Sequence, residues 1–291
     1  MRFAVIASGS RSNAIIINQS DTYLLIDCGL SQQKLISKLK NLGLELNNLS
    51  GILISHEHAD HWGCVEAILQ NFKIPIFLTY GSAAIKNFKL DDKLTNEICP
   101  QQNFSIGDLD ILPVTVPHDA KQPVQFVISD INRRMGILTD IGHITTAIKE
   151  MYSSLDGLII EFNYDEEMLN KGKYPLKIKK RIAGRYGHLS NSQSIEFLKV
   201  MDSSKLKLLV AGHISENNNS IKKIKNLSLI NEKRISSNLS TKDFPDPDIL
   251  IRTGGHKRLS NFMLWQLAYS CLLYTSPSPR DRTRSRMPSS A

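Results

Sequence analysis

No stretch of this 291-residue chain approaches the roughly 20 consecutive apolar residues needed to cross a bilayer. Its N-terminus reads as a strand and lacks the basic and apolar regions of a secretory signal. Only four cysteines are present, Cys28, Cys64, Cys99 and Cys271, none in CxxC spacing, and no segment repeats. These absences exclude a membrane span and predict a soluble, cytoplasmic protein. A one-sided charge is also missing where it would matter most: residues 1 to 222 carry 24 basic and 23 acidic side chains, a net +1, whereas the rest carry 12 and 5, a net +7. The overall +8 therefore belongs to the tail and is no evidence that the larger part binds nucleic acid. One local run, Lys171, Lys173, Lys177, Lys179, Lys180, Arg181 and Arg185, reads either as a grip on a phosphate backbone or as a solvated face.

What is present is a cluster: Ile54, Ser55, His56, Glu57, His58, Ala59, Asp60, His61 places three histidines and an aspartate within six residues. The apolar run Gly51 to Ile54 suits a buried strand and Trp62 to Gln70 a helix, so the cluster sits on a strand-to-helix turn. Its spacing divides it, His56 and His58 toward one ion, Asp60 and His61 toward a second. Each ion then needs ligands from far along the chain. Imidazole with carboxylate suits zinc first, with manganese or iron accommodated at the same geometry.

His-x-His-x-Asp-His after an apolar strand resembles the signature of the metallo-β-lactamase superfamily of binuclear metallohydrolases. The opening Phe3 to Asn13 and the run Tyr23 to Gly29 look like its WalJ/YycJ-type branch, bacterial enzymes grouped with nucleases and phosphodiesterases. The resemblance covers roughly residues 1 to 222. It implies that His118 completes the first metal set, that His213, after the run Leu208 to Gly212, completes the second, and that Asp140, ending the run Gly136 to Thr139, bridges both ions. Standing alone, His118 would read as a loop residue and Asp140 as a strand-end turn. Asp60 is implied as ligand and as orienter of the nucleophile, with Asp27 supporting the turn. His143 reads as a loop histidine, and His256 belongs to a different segment.

The resemblance also implies that Glu161 and His188 pair as the Glu and His of tRNA-processing phosphodiesterases do. A carboxylate on one imidazole nitrogen holds the tautomer and favours the protonated form, which leaves the other nitrogen to protonate a leaving oxygen or contact a phosphate. Locally, His188 could instead cap a helix beginning near Ser190 or Asn191, and Glu161 could be a strand-end surface residue. The expected activity is phosphodiester hydrolysis, with nucleic acid a candidate substrate, by a metal-bound hydroxide at two divalent ions. A thioesterase or lactonase-like hydrolase on the same site is the alternative, and an inactive chimeric assembly a third.

Apolar runs predict strands over 3–7, 14–18, 23–27, 51–55, 75–79, 111–116, 124–129, 135–139, 157–161 and 207–211, and helices over 31–42, 62–71, 81–88, 143–154, 164–171 and 191–200. The resemblance implies an α/β fold, a four-layer αβ/βα sandwich with metals at the strand ends. It also implies C-terminal truncation, because family members continue past the position of His213 with a further helix and strand that Glu216 to Leu227 replaces.

After about residue 222 the chain changes character. Residues 241 to 269 resemble the C-terminal part of undecaprenyl diphosphate synthase, a cis-prenyltransferase, from a start nearer Leu229. The residues matching Arg252, Arg258 and Ser260 hold a diphosphate in that family. Its N-terminal aspartate loop has no counterpart in residues 1 to 240, and the acidic residue expected soon after Tyr269 is missing, so prenyl transfer is not implied. Segment 223–270 is too short to bury its own apolar surface. Residues 271–291 resemble translated sequencing-adapter DNA and are expected to be a disordered tail.

Overall fold

Successive side chains of a strand point to opposite faces of its sheet, so a strand apolar throughout can pack against two layers at once. In the computed structural model, residues 1–90, 93–225, 249–252 and 271–274 are described. The first sheet runs in order β1 (Arg2–Ala7), β2 (Ala14–Gln19), β3 (Thr22–Ile26), β4 (Gly51–Leu53), β5 (Ile76–Leu78), β6 (Thr95–Glu97). The second runs β12 (Leu208–Gly212), β11 (Gly157–Glu161), β10 (Arg134–Leu138), β9 (Val124–Ser129), β8 (Leu109–Thr115), β7 (Phe104–Ile106). Each sheet begins with antiparallel pairs and turns parallel, from β3 onward in the first and from β10 onward in the second.

On the outer face of the first sheet, Ile16, Leu25 and Ile52 pack with Leu35 and Leu39 of α1 (Gln32–Asn41) and with Val65 and Ile68 of α3 (Val65–Phe72), which follows the single turn α2 (Ala59–Trp62). Their neighbours Ile15, Ile17, Leu24, Ile26 and Leu53 face the other way, against Ile111, Phe126, Ile128, Ile137 and Ile159 of the second sheet. Val127, Leu138, Leu158 and Ile160 then pack outward against Ile148 and Tyr152 at α5 (Thr146–Met151), Ile195 and Phe197 of α8 (Asn191–Val200) and Ile224 of α9 (Ile221–Lys225). Helix, sheet, sheet, helix is the four-layer sandwich. Each side chain so buried contributes about 1.5–3 kcal/mol.

The remaining helices are α4 (Tyr80–Lys86), α6 (Glu166–Lys171) and α7 (Leu176–Ile182). Every apolar run expected as a strand forms one, but the run over 51–55 stops at Leu53, which leaves Ile54 to His58 free to turn before α2. Strands β6 and β7 were not legible because Thr95–Glu97 is polar and Phe104–Ile106 offers only three residues to a periodicity argument. Helix α7 buries none of its residues, so it has no apolar stripe to read.

The chain divides into two units, Met1–Asn231 and Glu232–Ala291. In the second, β13 (Ile249–Arg252) and β14 (Cys271–Tyr274) pair in parallel, so four residues of the segment expected as a disordered tail are in a strand. Arg252 lies in β13. Arg258, Ser260 and His256 lie outside the described residues.

Candidate metal centre

All the candidate donors follow strand ends along one edge of the two sheets, the usual place for a site in α/β architecture. The turn after β4 is held from beneath by Asp27, whose Oδ1 accepts from the Ser55 amide at 2.8 Å and whose Oδ2 accepts from Ser55 Oγ at 2.9 Å. Backbone bonds clamp it from the side, Asn13 N to Asp60 O and Cys28 N to His61 O, each 2.8 Å. The approach is so close that a Cβ on Gly29 would lie 1.6 Å from Asp60 O, which makes glycine obligatory there. Glu57, between the two histidines, ties the turn outward by accepting from Ser82 Oγ and the Lys121 amide.

The first donor group is His56, His58 and His118. His58 Nδ1 lies 3.0 Å from His56 Nε2 and 3.3 Å from His118 Nε2. His118 donates through Nδ1 to Gly187 O at 3.1 Å, which leaves its Nε2 a bare lone pair facing the others. The second group is Asp60, His61, Asp140 and His213, with donor atoms all within 4.8 Å of one another. His61 donates through Nδ1 to Asp27 Oδ2 at 2.7 Å and His213 through Nδ1 to Glu161 Oε1 at 2.6 Å. Carboxylates behind both imidazoles fix the tautomer and push Nε2 forward, as metal-binding histidines require.

Asp140 stands between the groups, with Oδ2 3.2 Å from His61 Nε2 and Oδ1 3.9 Å from His118 Nε2. Burial opposes its charge, but His213 and His61 outweigh that and hold its carboxyl well below the usual range. Its Oδ2 and His213 Nε2 are nonetheless buried without a hydrogen-bond partner. Such orphans are rare and costly among native buried groups. Two lone-pair donors aimed into one imidazole and carboxylate cluster fit a divalent cation, and the adjacent group of three histidines fits a second.

Glu161 and His188 meet behind this cluster. Glu161 is fully buried and accepts His188 Nδ1 at 2.9 Å, the Leu189 amide at 3.0 Å and the Ile141 amide at 3.2 Å. Burial disfavours its charge, yet His188 and His213 prevail and push its pKa down to about 2; against the same burial cost, Glu161 pushes His188 up to about 9. The local alternatives for this pair fail. Glu161 is not a surface residue, and the cap of α8 is Ser190, whose side chain accepts from the Gln193 amide in a capping box.

Asp27, Asp140 and His213 all have left-handed backbones, with φ of 58°, 55° and 48°. Each such residue costs roughly 1–3 kcal/mol, and such strain concentrates at functional sites. His143 donates to or accepts from no donor of either group; its Nδ1 lies 2.8 Å from Arg185 O. Sequence reading assigned no role to Asn13, whose Nδ2 is 3.2 Å from Asp60 Oδ2 and 3.0 Å from His61 Nε2, nor to Asp119, whose Oδ1 is 3.5 Å from His118 Nε2. Only proximity in space reveals either.

A family model described as the beta-lactamase superfamily domain matches residues 22–214. The chain belongs to the β-lactamase superfamily. It is similar to exodeoxyribonuclease YycJ of Bacillus anthracis, 30% identical over 224 residues, 75% of this chain and 84% of that protein. Among solved structures it shares its fold with the metallo-β-lactamase fold protein YhfI from Bacillus subtilis, with a TM-score of 0.58 at 19% identity over 76% of this chain and 88% of that one. This superfamily member is a metal-dependent hydrolase with His and Asp clusters for divalent metal.

A second family model, for putative undecaprenyl diphosphate synthase, matches residues 159–281, and 46 residues are 56% identical to an isoprenyl transferase of Porphyromonas gingivalis, 16% of this chain and only 18% of that protein. The match starts well ahead of the expected Leu229. Its first part overlaps β11 and β12, of which β11 pairs in register with both β12 and β10 in the sandwich, so up to residue 225 the described architecture is that of the hydrolase.

Proposed function

We propose that residues 1–222 form a dinuclear metal-dependent phosphodiesterase that acts on nucleic acid, with the prenyltransferase-like segment 223–270, including Arg252, Arg258 and Ser260, taking no part. His56, His58 and His118 would hold one ion and Asp60, His61 and His213 the other, with Asp140 placed between the two groups to serve both. Zinc suits this imidazole-rich set, with manganese or iron accommodated. When bound, two divalent ions supply Lewis acidity at the phosphoryl oxygens and lower the pKa of water toward neutrality.

The protein's own groups do the rest. Asp60, with one oxygen held by Asn13 Nδ2, orients the attacking water for in-line approach. Glu161 keeps His188 protonated at Nδ1, so that its outer Nε2 carries a proton toward the leaving oxygen. The same Glu161 oxygen receives His213 Nδ1, so one buried carboxylate sets a metal donor and an acid together.

The Glu161–His188 pair carries this reading. A sugar alkoxide leaves poorly without a proton, whereas a thiolate, with a thiol pKa of about 8.5, leaves without one. A thioesterase on these donors would have no use for an acid pair built on a buried carboxylate. Two buried free thiols, Cys28 and Cys64, with Sγ atoms 3.0 Å apart, support placing the enzyme in a reducing cytoplasm. No helix among the described residues is long and apolar enough to cross a membrane.

The test is turnover by His188→Ala. Cleavage of a DNA phosphodiester should fall about 10²–10⁴-fold, cleavage of a diester with a nitrophenolate leaving group far less, and metal content not at all. Equal loss on both substrates, or thioester turnover that exceeds diester turnover in the unmodified protein, would contradict the assignment.

A further inference from the structure

We propose that α7 and the turn behind it form a landing rim for a single-stranded polynucleotide, Lys177, Lys180 and Arg185 meeting its phosphates and Tyr186 stacking on one of its bases. The proposal rests on the phosphodiesterase reading of the site. Between Glu167 and Glu196 the sequence has no acidic residue, while seven of the 24 basic residues of segment 1–222 fall within 171–185. The remainder of that segment is acidic, 17 basic against 23 acidic side chains, so positive charge is concentrated in this one place.

Three of the seven cations are used internally. Lys171 pairs with Glu167, Lys179 donates to Asn170 O, and Arg181 Nε donates to Asp119 Oδ2 at 2.5 Å. Lys173, Lys177, Lys180 and Arg185 are exposed and make no ion pair among the described residues. The helix keeps apolar surface in water as well: Leu176 is 67% exposed and Tyr186, just past it, 62%. A seven-residue helix that buries nothing gains little from folding onto the domain, yet this one is firmly attached.

Its attachment is to the metal residues. The other oxygen of Asp119, Oδ1, is 3.5 Å from His118 Nε2, and the His188 amide donates to Ile182 O at 2.9 Å. Gly187 O receives His118 Nδ1, and Arg185 O lies 2.3 Å from where a Cβ on Gly142 would be. Segment 181–188 is thus bolted to the site by its backbone and Arg181, while Arg185 and Tyr186 remain exposed beside the acid His188. Cations alone would serve any polyanion. An exposed tyrosine among them suits a strand whose bases are unstacked, because each base offers a π-face that a duplex conceals.

Binding of a labelled single-stranded oligodeoxynucleotide, followed by fluorescence anisotropy over a salt series, tests this on the full chain. The variant Lys177→Ala/Lys180→Ala/Arg185→Ala, with thermal melting and metal content confirming its fold, should bind roughly tenfold or more weakly near 0.1 M salt. Its log–log salt slope should be shallower by about 2, three contacts at about 0.7 each. The basic C-terminal segment is common to both proteins and cancels. Tyr186→Ala should weaken single-strand binding on the order of tenfold and leave duplex binding unchanged. A triple variant with unaltered affinity and slope would overturn the rim, and equal loss on single strand and duplex in Tyr186→Ala would overturn the single-strand assignment. Unmodified protein that binds the strand through these residues but cleaves no phosphodiester would contradict the phosphodiesterase reading and leave the rim standing.

Discussion

The two sheets furnish donors in opposite ways. The first delivers His56, His58, Asp60 and His61 from one turn, within six residues, and holds them by clamping that turn. The second delivers His118, Asp140, Glu161 and His213 from separate strands, joined by His188 from the loop before α8, and His118, His188 and His213 are each held by a neighbour from another part of the chain. The turn should therefore fail as a unit under local strain, whereas the second half should lose one donor at a time.

Asp140→Ala strikes the point where the halves meet, and we expect it to abolish phosphodiester turnover and weaken both ions, measured as kcat/KM beside metal content. Next in size, Gly29→Ala forces a Cβ into Asp60 O and should cost about 3 kcal/mol. For a domain of this size that is roughly a 6–12 °C fall in Tm. All four donors of the turn, His56, His58, Asp60 and His61, should go with it, so loss of only one ion would contradict the unit behaviour of the turn.

Asp27→Asn and Glu161→Gln probe the two kinds of support more gently. Each removes the carboxylate behind one metal-facing imidazole, His61 or His213, and should weaken metal affinity about 10–100-fold. Only Glu161→Gln should also slow turnover at saturating metal, because it alone holds His188; equal slowing by both would blur the distinction. Smallest, Ser190→Ala removes the α8 cap and should cost about 1 kcal/mol with no change in metal content, read by denaturant unfolding.

The same contrast governs what the sequence made legible. His56 to His61 could be read directly because their spacing is local, whereas Asp140 and His213, each after an apolar run, were assigned only through the resemblance to the superfamily. The layer order was not in the periodicity, since strands buried on both faces show little alternation; it came from a resemblance. Asn13 and Asp60 are 47 positions apart and meet only because Gly29 lets two backbones touch. Helix α7 escaped notice for a different reason, in that its residues face solvent and carry no helical stripe.

Metal content of the purified full chain tests the central claim most directly, by elemental analysis of the unmodified protein beside His118→Ala and His213→Ala. Two separate donor groups joined by Asp140 predict about two ions per chain, falling to about one in each variant. An unmodified chain that binds no metal, or variants that both retain the full complement, would contradict it.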